Sequence, residues 1–238
     1  MKVRIAYIEE PPFYWTGDNS QPTGSDIELA DVVLRAIGVT SIEHHLTKFE
    51  EFLPGVQEGR WDMNVPIFVT AERAEQVAFS RPVWALGDGF VVHPGNPKEL
   101  VSYESVGTKG DARLGIITGQ VQLQYAKAAG VIDKQITMFK DQPEAIAALL
   151  AGKIDAFAGT ALGNRVTAEG HPELDAVAHE AGKNGNTPVG AFSFNKNNHD
   201  LLKAVNAELV KYLGSPDHRA RMAKYGITAT EIDGVTAK

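Results

Sequence analysis

The stretch Pro66-Ile67-Phe68-Val69-Thr70-Ala71-Glu72-Arg73-Ala74-Glu75-Gln76-Val77-Ala78-Phe79-Ser80-Arg81-Pro82-Val83-Trp84 opens with an apolar, β-prone run that stops at Thr70. Threonine suits the residue just before a helix, so the run reads as strand, cap and short helix, broken by Ser80–Pro82. Such a junction leaves backbone N–H groups without intrahelical partners. Arg73 falls in the first helical turn, where a cation opposes the helix dipole at a cost of roughly a few tenths of a kcal/mol. A compensating anion is one reason for it to be there, and an ordinary surface arginine is the other reading.

Outward from this junction the chain alternates strand and helix patterns. Upstream, Val3–Tyr7 reads as a strand and leads into Glu9-Glu10-Pro11-Pro12-Phe13-Tyr14-Trp15. Ser25-Asp26-Ile27-Glu28 has the form of a capping box, and Ile27, Ala30, Val33, Leu34 and Ile37 recur at helical spacing before Gly38. A strand near Ser41–Leu46 and a helix over about Glu50–Glu58 complete a β-α-β-α-β order, which argues for a sheet covered by helices.

Downstream, residues 86–92 are extended and rich in glycine, and a second β/α series follows. Leu114–Ile117 reads as a buried strand, with Gly119-Gln120 leading into a helix. Asp141-Gln142-Pro143-Glu144 reads as a cap with proline at the first helical position. Ile154–Ala158 is a further strand, and Thr160 begins a helix. From Asn184 the chain is Gly/Asn-rich and then extended to Phe194, and two helices, around Asp200–Tyr212 and from Ser215-Pro216, finish it before Gly226.

Bulk properties exclude several function classes. The chain has 238 residues, 43% hydrophobic and 22% charged, which is ordinary for a globular protein. Its formal charge of -7, without a Lys/Arg cluster, speaks against nucleic acid as a partner. There is no cysteine, the seven histidines are scattered, and no Gly-rich phosphate loop or G-x-S-x-G occurs. No apolar run approaches the roughly 18 residues of a membrane span. The chain opens directly on a strand pattern, so no signal peptide is read. A secreted protein after removal of its leader and a cytosolic one would both look this way.

The order T-x-E-R then F-S-x-P resembles the core motif of periplasmic solute-binding proteins that serve polar amino-acid ABC transporters. The same order and spacing continue in the Pro-Pro-Phe loop, G-x-D-I-E-L-A, P-G-V-Q-x-G-R-W-D, G-N-P, Gly119-Gln120 and G-K-I-D-A, with one residue fewer between Asp62 and Arg73. The resemblance implies a bilobed α/β fold of the type II periplasmic-binding class. Lobe 1 would be residues 1–86 with 192–238, lobe 2 residues 91–186, and the hinge residues 87–90 and 187–191. It also implies a periplasmic monomer that hands a small zwitterion to an inner-membrane permease, with no catalysis, cofactor or metal.

In the general family the motif arginine, here Arg73, grips the ligand carboxylate, and an aspartate at the position of Thr160 meets the ammonium. Here that aspartate is absent, Glu10 stands where a stacking aromatic is usual, and Phe68 replaces a hydroxyl residue. These departures resemble the ectoine/hydroxyectoine-binding branch, whose ligand carries a carboxylate and an amidinium. On that resemblance the expected ligand residues are Glu10, Phe13, Phe49, Phe68, Thr70 and Arg73 from lobe 1, with Gly119, Gln120 and Thr160 from lobe 2. Each has a plainer reading: Phe13 as a loop anchor, Phe49 or Phe52 as core, Glu10 as a solvated acid, Thr160 as a cap. Trp84 reads as structural. A standard polar amino acid is the alternative ligand, and a cyclohexadienyl-dehydratase-like enzyme or a receptor's sensory module are the other functions the fold could host.

Overall fold

Alternation of short apolar strands with amphipathic helices builds two sheets, each within its own unit of the chain. A computed structural model describes residues 1–180 and 187–236. One unit comprises Met1–Ala85 and Pro188–Lys238, the other Leu86–Thr187.

The first unit begins with β1 (Lys2–Tyr7), the small hairpin of β2 (Trp15–Thr16) and β3 (Pro22–Thr23), and α1 (Ser25–Ala36). It continues through β4 (Ser41–Leu46), a 3-10 turn at Phe49–Glu51, α2 (Phe52–Gln57), β5 (Met63–Phe68), α3 (Ala71–Gln76), β6 (Ala78–Phe79) and β7 (Trp84–Ala85).

The second unit carries β8 (Asp88–Val92), α4 (Tyr103–Thr108), β9 (Leu114–Ile117), α5 (Gln122–Ala128) and β10 (Ile136–Phe139). After these come α6 (Gln142–Leu150), β11 (Ala156–Thr160), α7 (Ala161–Gly170) and β12 (Asp175–Ala178). Its sheet runs β10-β9-β11-β8-β12, with β9 parallel to β10 and β11 and β8 antiparallel to β11 and β12. Phe90, Val92, Leu114, Ile116, Ala156 and Ala158 form one face of its core against Tyr103 and Val106 of α4.

The chain returns to the first unit with β13 (Val189–Phe194), α8 (His199–Tyr212), α9 (Pro216–Ala223) and α10 (Ala229–Thr236). The sheet order there is β4-β1-β5-β13-β6, with β7 also paired to β13. Of the segments expected to act as hinges, residues 88–90 run in β8 and residues 189–191 in β13. The Gly/Asn-rich stretch that begins at Asn184 lies partly outside the described residues, as do the last two residues of the expected lobe 1.

Local chemistry departs from expectation at four points. The capping box at Ser25 does not form: the cap is Gly24, with φ 125°, and no side chain bonds into the helix start. Carbonyls of the preceding loop take that role, Pro12 O accepting from Ser25 N at 3.0 Å and Phe13 O from Asp26 N at 2.9 Å. Pro143 is the second helical residue, since Gln142 is already helical, and Asp141 caps the helix by accepting from Glu144 N at 3.0 Å. The helix after Thr70 ends at Gln76, ahead of Ser80, because buried Val77 turns extended and carries Ala78–Phe79 into pairing with β13. A third C-terminal helix, α10, follows Gly226; Ile232 is its one buried residue, so no apolar period announced it.

Candidate ligand-binding site

The junction of β5 and α3 forms as a capped turn. Thr70 Oγ1 accepts from Arg73 N at 3.2 Å, which fixes the backbone under the arginine. The Arg73 side chain folds back so that Nη1 donates to Phe68 O at 2.8 Å, and its guanidinium lies over the Phe49 ring, 5.0 Å from the centroid. Arg73 is 7% exposed. A permanent cation held this firmly in a largely dry setting is pre-organised for an anion, because little rotamer freedom remains to be lost on binding. One face of Phe49 is thus already taken by the arginine, and Phe52 beside it is fully buried core.

Glu10 lies in a closed turn. Glu10 N donates to Tyr14 O at 2.8 Å, Phe13 N donates to Glu10 O at 3.1 Å, and the Tyr14 hydroxyl donates to Glu10 Oε2 at 3.1 Å. Burial, then the Glu10 and Asp26 carboxylates, push the Tyr14 phenol well above its ordinary range, so it stays a donor. The Phe13 ring stands 6.0 Å from Trp84, and Trp84 meets Phe68 edge-on at 5.3 Å. Trp84 is anchored from below, its indole N–H donating to Asp26 Oδ2 at 3.3 Å and its ring lying over Gly190, where a Cβ would come within 2.0 Å. Trp84 is therefore a buried spacer between two of the expected ligand rings.

Glu10, Phe13, Phe68, Thr70, Arg73 and Phe49 are in this way brought into one continuous patch of the first unit. Tyr14 and Asp26 belong to the same patch and went unread in the sequence. Asp26 had a visible signal: with Leu29, Ala30 and Val33 it lies at i, i+3, i+4 and i+7 on the apolar stripe of α1, where an acid is out of place. It is fully buried, and burial pushes its carboxyl well above the usual value.

In the second unit, β9 and β11 end at one edge of the sheet, and antiparallel β8 begins there. Gly119 turns with φ 86°, Gln120 N donates to Ile117 O at 3.2 Å, and the Gln120 side chain is 7% exposed. Thr160 Oγ1 accepts from Gly163 N at 3.0 Å and caps α7, which leaves its O–H as a donor. Asp88 stands opposite Thr160 in the strand register and was missed by sequence reading. Burial raises its carboxyl to about 6, against the pull of hydrogen bonds from Tyr103 and Gln122. Among the described residues no group of three or more His, Cys, Asp or Glu could hold a metal ion, and no helix is long and apolar enough to cross a membrane.

Residues 3–227 match the family of bacterial extracellular solute-binding proteins, family 3. The chain is 30% identical, over 99% of its length and 80% of the relative's, to the probable amino-acid ABC transporter periplasmic-binding protein y4tE of Sinorhizobium fredii (strain NBRC 101917 / NGR234). It is 26% identical, over 82% of its length and 71% of the relative's, to the L-cystine-binding protein TcyJ of Escherichia coli (strain K12). The crystal structure of EhuB in complex with hydroxyectoine matches it at 25% identity with a TM-score of 0.87, over 99% of this chain and 94% of that one. Its α/β fold is that of the type II periplasmic binding proteins, and relatives of this kind bind small ligands for ABC transporter permeases. The chain belongs to the bacterial extracellular solute-binding proteins, family 3.

Proposed function

We propose that this protein is the periplasmic receptor of an ABC importer for a small zwitterionic carboxylate, with ectoine or hydroxyectoine as its ligand. The observation that carries this reading is the continuous patch in the first unit, with Arg73 at one end and Glu10 at the other and aromatic rings between. Arg73 takes the ligand carboxylate. Glu10, with the rings of Phe13, Phe49 and Phe68, takes a delocalised cation such as an amidinium, for which each cation–π contact contributes about 0.5–2 kcal/mol. Gly119, Gln120 and Thr160 complete the site from the second unit, and closure about the two connections between the units signals occupancy to the permease. The likeness to EhuB supports this ligand class.

A standard amino acid is the second reading, favoured by the names of y4tE and TcyJ. A thermal-shift panel of ectoine, hydroxyectoine, glycine betaine, the standard amino acids and cystine separates the two. Protein unfolded and refolded to strip any co-purified molecule is used throughout. Stabilisation by the ectoines and not by the amino acids is expected. Stabilisation by an amino acid alone transfers the assignment to that ligand, and no shift with any compound overturns the reading.

A further inference from the structure

The second unit holds a pair of acceptors that the expected ligand residues do not include. Asp88, half-buried, is the first residue of β8 and stands directly opposite Thr160 of β11. Opposite residues of an antiparallel pair project to the same face, so Asp88 shares the sheet edge from which Gly119 and Gln120 depart. Its carboxylate is held in place by uncharged donors. The Tyr103 hydroxyl of α4 donates to Oδ2, and Gln122 Nε2, at the start of α5, donates to Oδ1 at 3.1 Å. The Gly89 N–H adds a third bond, and an ionised carboxylate, with about four lone-pair sites, has acceptor capacity beyond these.

Gln122 is 2% exposed. Because its amide nitrogen is committed to Asp88, its Oε1 is turned elsewhere, and that buried oxygen has no hydrogen-bond partner among the described residues. A buried amide oxygen without a donor is costly, so a donor beyond the described residues is called for, and a ligand N–H group can be that donor. Among the described residues, the nearest titratable groups add no cation. Tyr103 is neutral, and His179, whose ring packs on Phe90 and Tyr103, is held down to about 4 by burial. One anionic acceptor and one neutral acceptor, linked through the Gln122 amide and in no ion pair among the described residues, suit a group that brings positive charge and N–H bonds together.

We infer that the Asp88 carboxylate and the Gln122 amide oxygen form the second unit's acceptor pair for the N–H groups of the ligand's cation. Tyr103 is the positioning residue that holds the carboxylate. The inference rests on the zwitterion-binding reading above, and it makes Asp88 and Gln122 determinants of ligand choice alongside Glu10.

Calorimetric titration of ectoine, L-glutamine and L-arginine into the wild type, Asp88→Asn and Gln122→Met tests it. The compound that binds the wild type should lose at least about ten-fold in affinity in each variant, while the ligand-free Gln122→Met protein keeps the wild-type melting temperature. Wild-type affinity should also fall as pH drops through about 6, and Asp88→Asn should show no such fall. Should Asp88→Asn fail to fold, Gln122→Met decides alone. Affinity within two-fold of wild type in the variants overturns the inference and leaves the function standing. Absence of binding to the wild type by these three compounds, and by hydroxyectoine and the other standard amino acids titrated alongside them, overturns both.

Discussion

Arg73, on a backbone held by Thr70, sets its planar guanidinium in two contacts at once, a bond to Phe68 O and a ring contact with Phe49. A lysine would keep the charge but lose the planar fork and the stacking. Arg73→Ala should therefore cost at least about 2–5 kcal/mol of binding, the range for truncating one partner of a buried, hydrogen-bonded charge pair, and so abolish it, while Arg73→Lys should weaken it by less. Titration calorimetry against the bound ligand reads both, and wild-type affinity in Arg73→Lys would remove the arginine from the site. Asp26 makes a different prediction. Burial, above all, raises its carboxyl, and the neighbouring Glu10 charge adds to this, while the Trp84 and Ser25 hydrogen bonds oppose it. The folded protein thus keeps the Asp26 proton at pH values where the unfolded chain, with a pKa of about 3.9, has released it. Stability contributed by this group declines as pH rises above about 4. Asp26→Asn removes that titration, so its denaturation midpoint should gain on the wild type's as pH rises above about 4. Parallel profiles would show that Asp26 ionises without cost.

At the scale of elements, the proposed ligand residues of each unit depend on a strand-to-helix junction. The caps Thr70 and Thr160 both bond the third residue of the following helix; the sequence marks Thr70 by its cap chemistry and Thr160 by its place in the family motif, with capping as the plainer reading. Thr160→Ala should cost about 1 kcal/mol of stability, whereas Thr160→Ser should restore it. If the hydroxyl also donates to ligand, Ser will restore affinity with it; equal affinity in Ala and Ser assigns Thr160 to capping alone. The start of α1 was not legible in the same way. Ser25-Asp26-Ile27-Glu28 has the letters of a capping box, but the carbonyls of Pro12 and Phe13 reach the helix start first. That contact demands a residue without a side chain, since a Cβ on Gly24 would lie 2.3 Å from Phe13 O. The turn that presents Glu10 and Phe13 is thereby fastened to the helix that carries Asp26.

For the whole molecule, ligand binding of the proposed kind must appear as linked stability. Ligand at 100 times its dissociation constant stabilises the native state by about 2.7 kcal/mol. For a chain of this size that corresponds to a rise in melting temperature of about 5–10 °C. Arg73→Ala should lose this rise with ectoine while melting near the wild-type temperature when ligand-free. A retained rise would place the carboxylate elsewhere.

The sequence by itself determined the α/β class, the strand–cap–helix junction at residues 66–76 and the family. Those depend on local pattern: apolar period, cap chemistry and motif spacing are written in neighbouring residues. It also named Arg73, Glu10 and the three phenylalanines, because their residue types depart from, or keep to, a motif readable in order. Only the tertiary structure decided that Phe49 lies under the arginine, that Trp84 spaces Phe13 from Phe68, and that Asp26 is buried beneath them. It alone set Asp88 opposite Thr160, 72 residues apart in the chain, through an antiparallel register that no local pattern encodes. Pairing between distant strands is settled by burial and hydrogen bonding of the assembled sheet, so the acceptors that it brings to one edge appear only when the sheet is built.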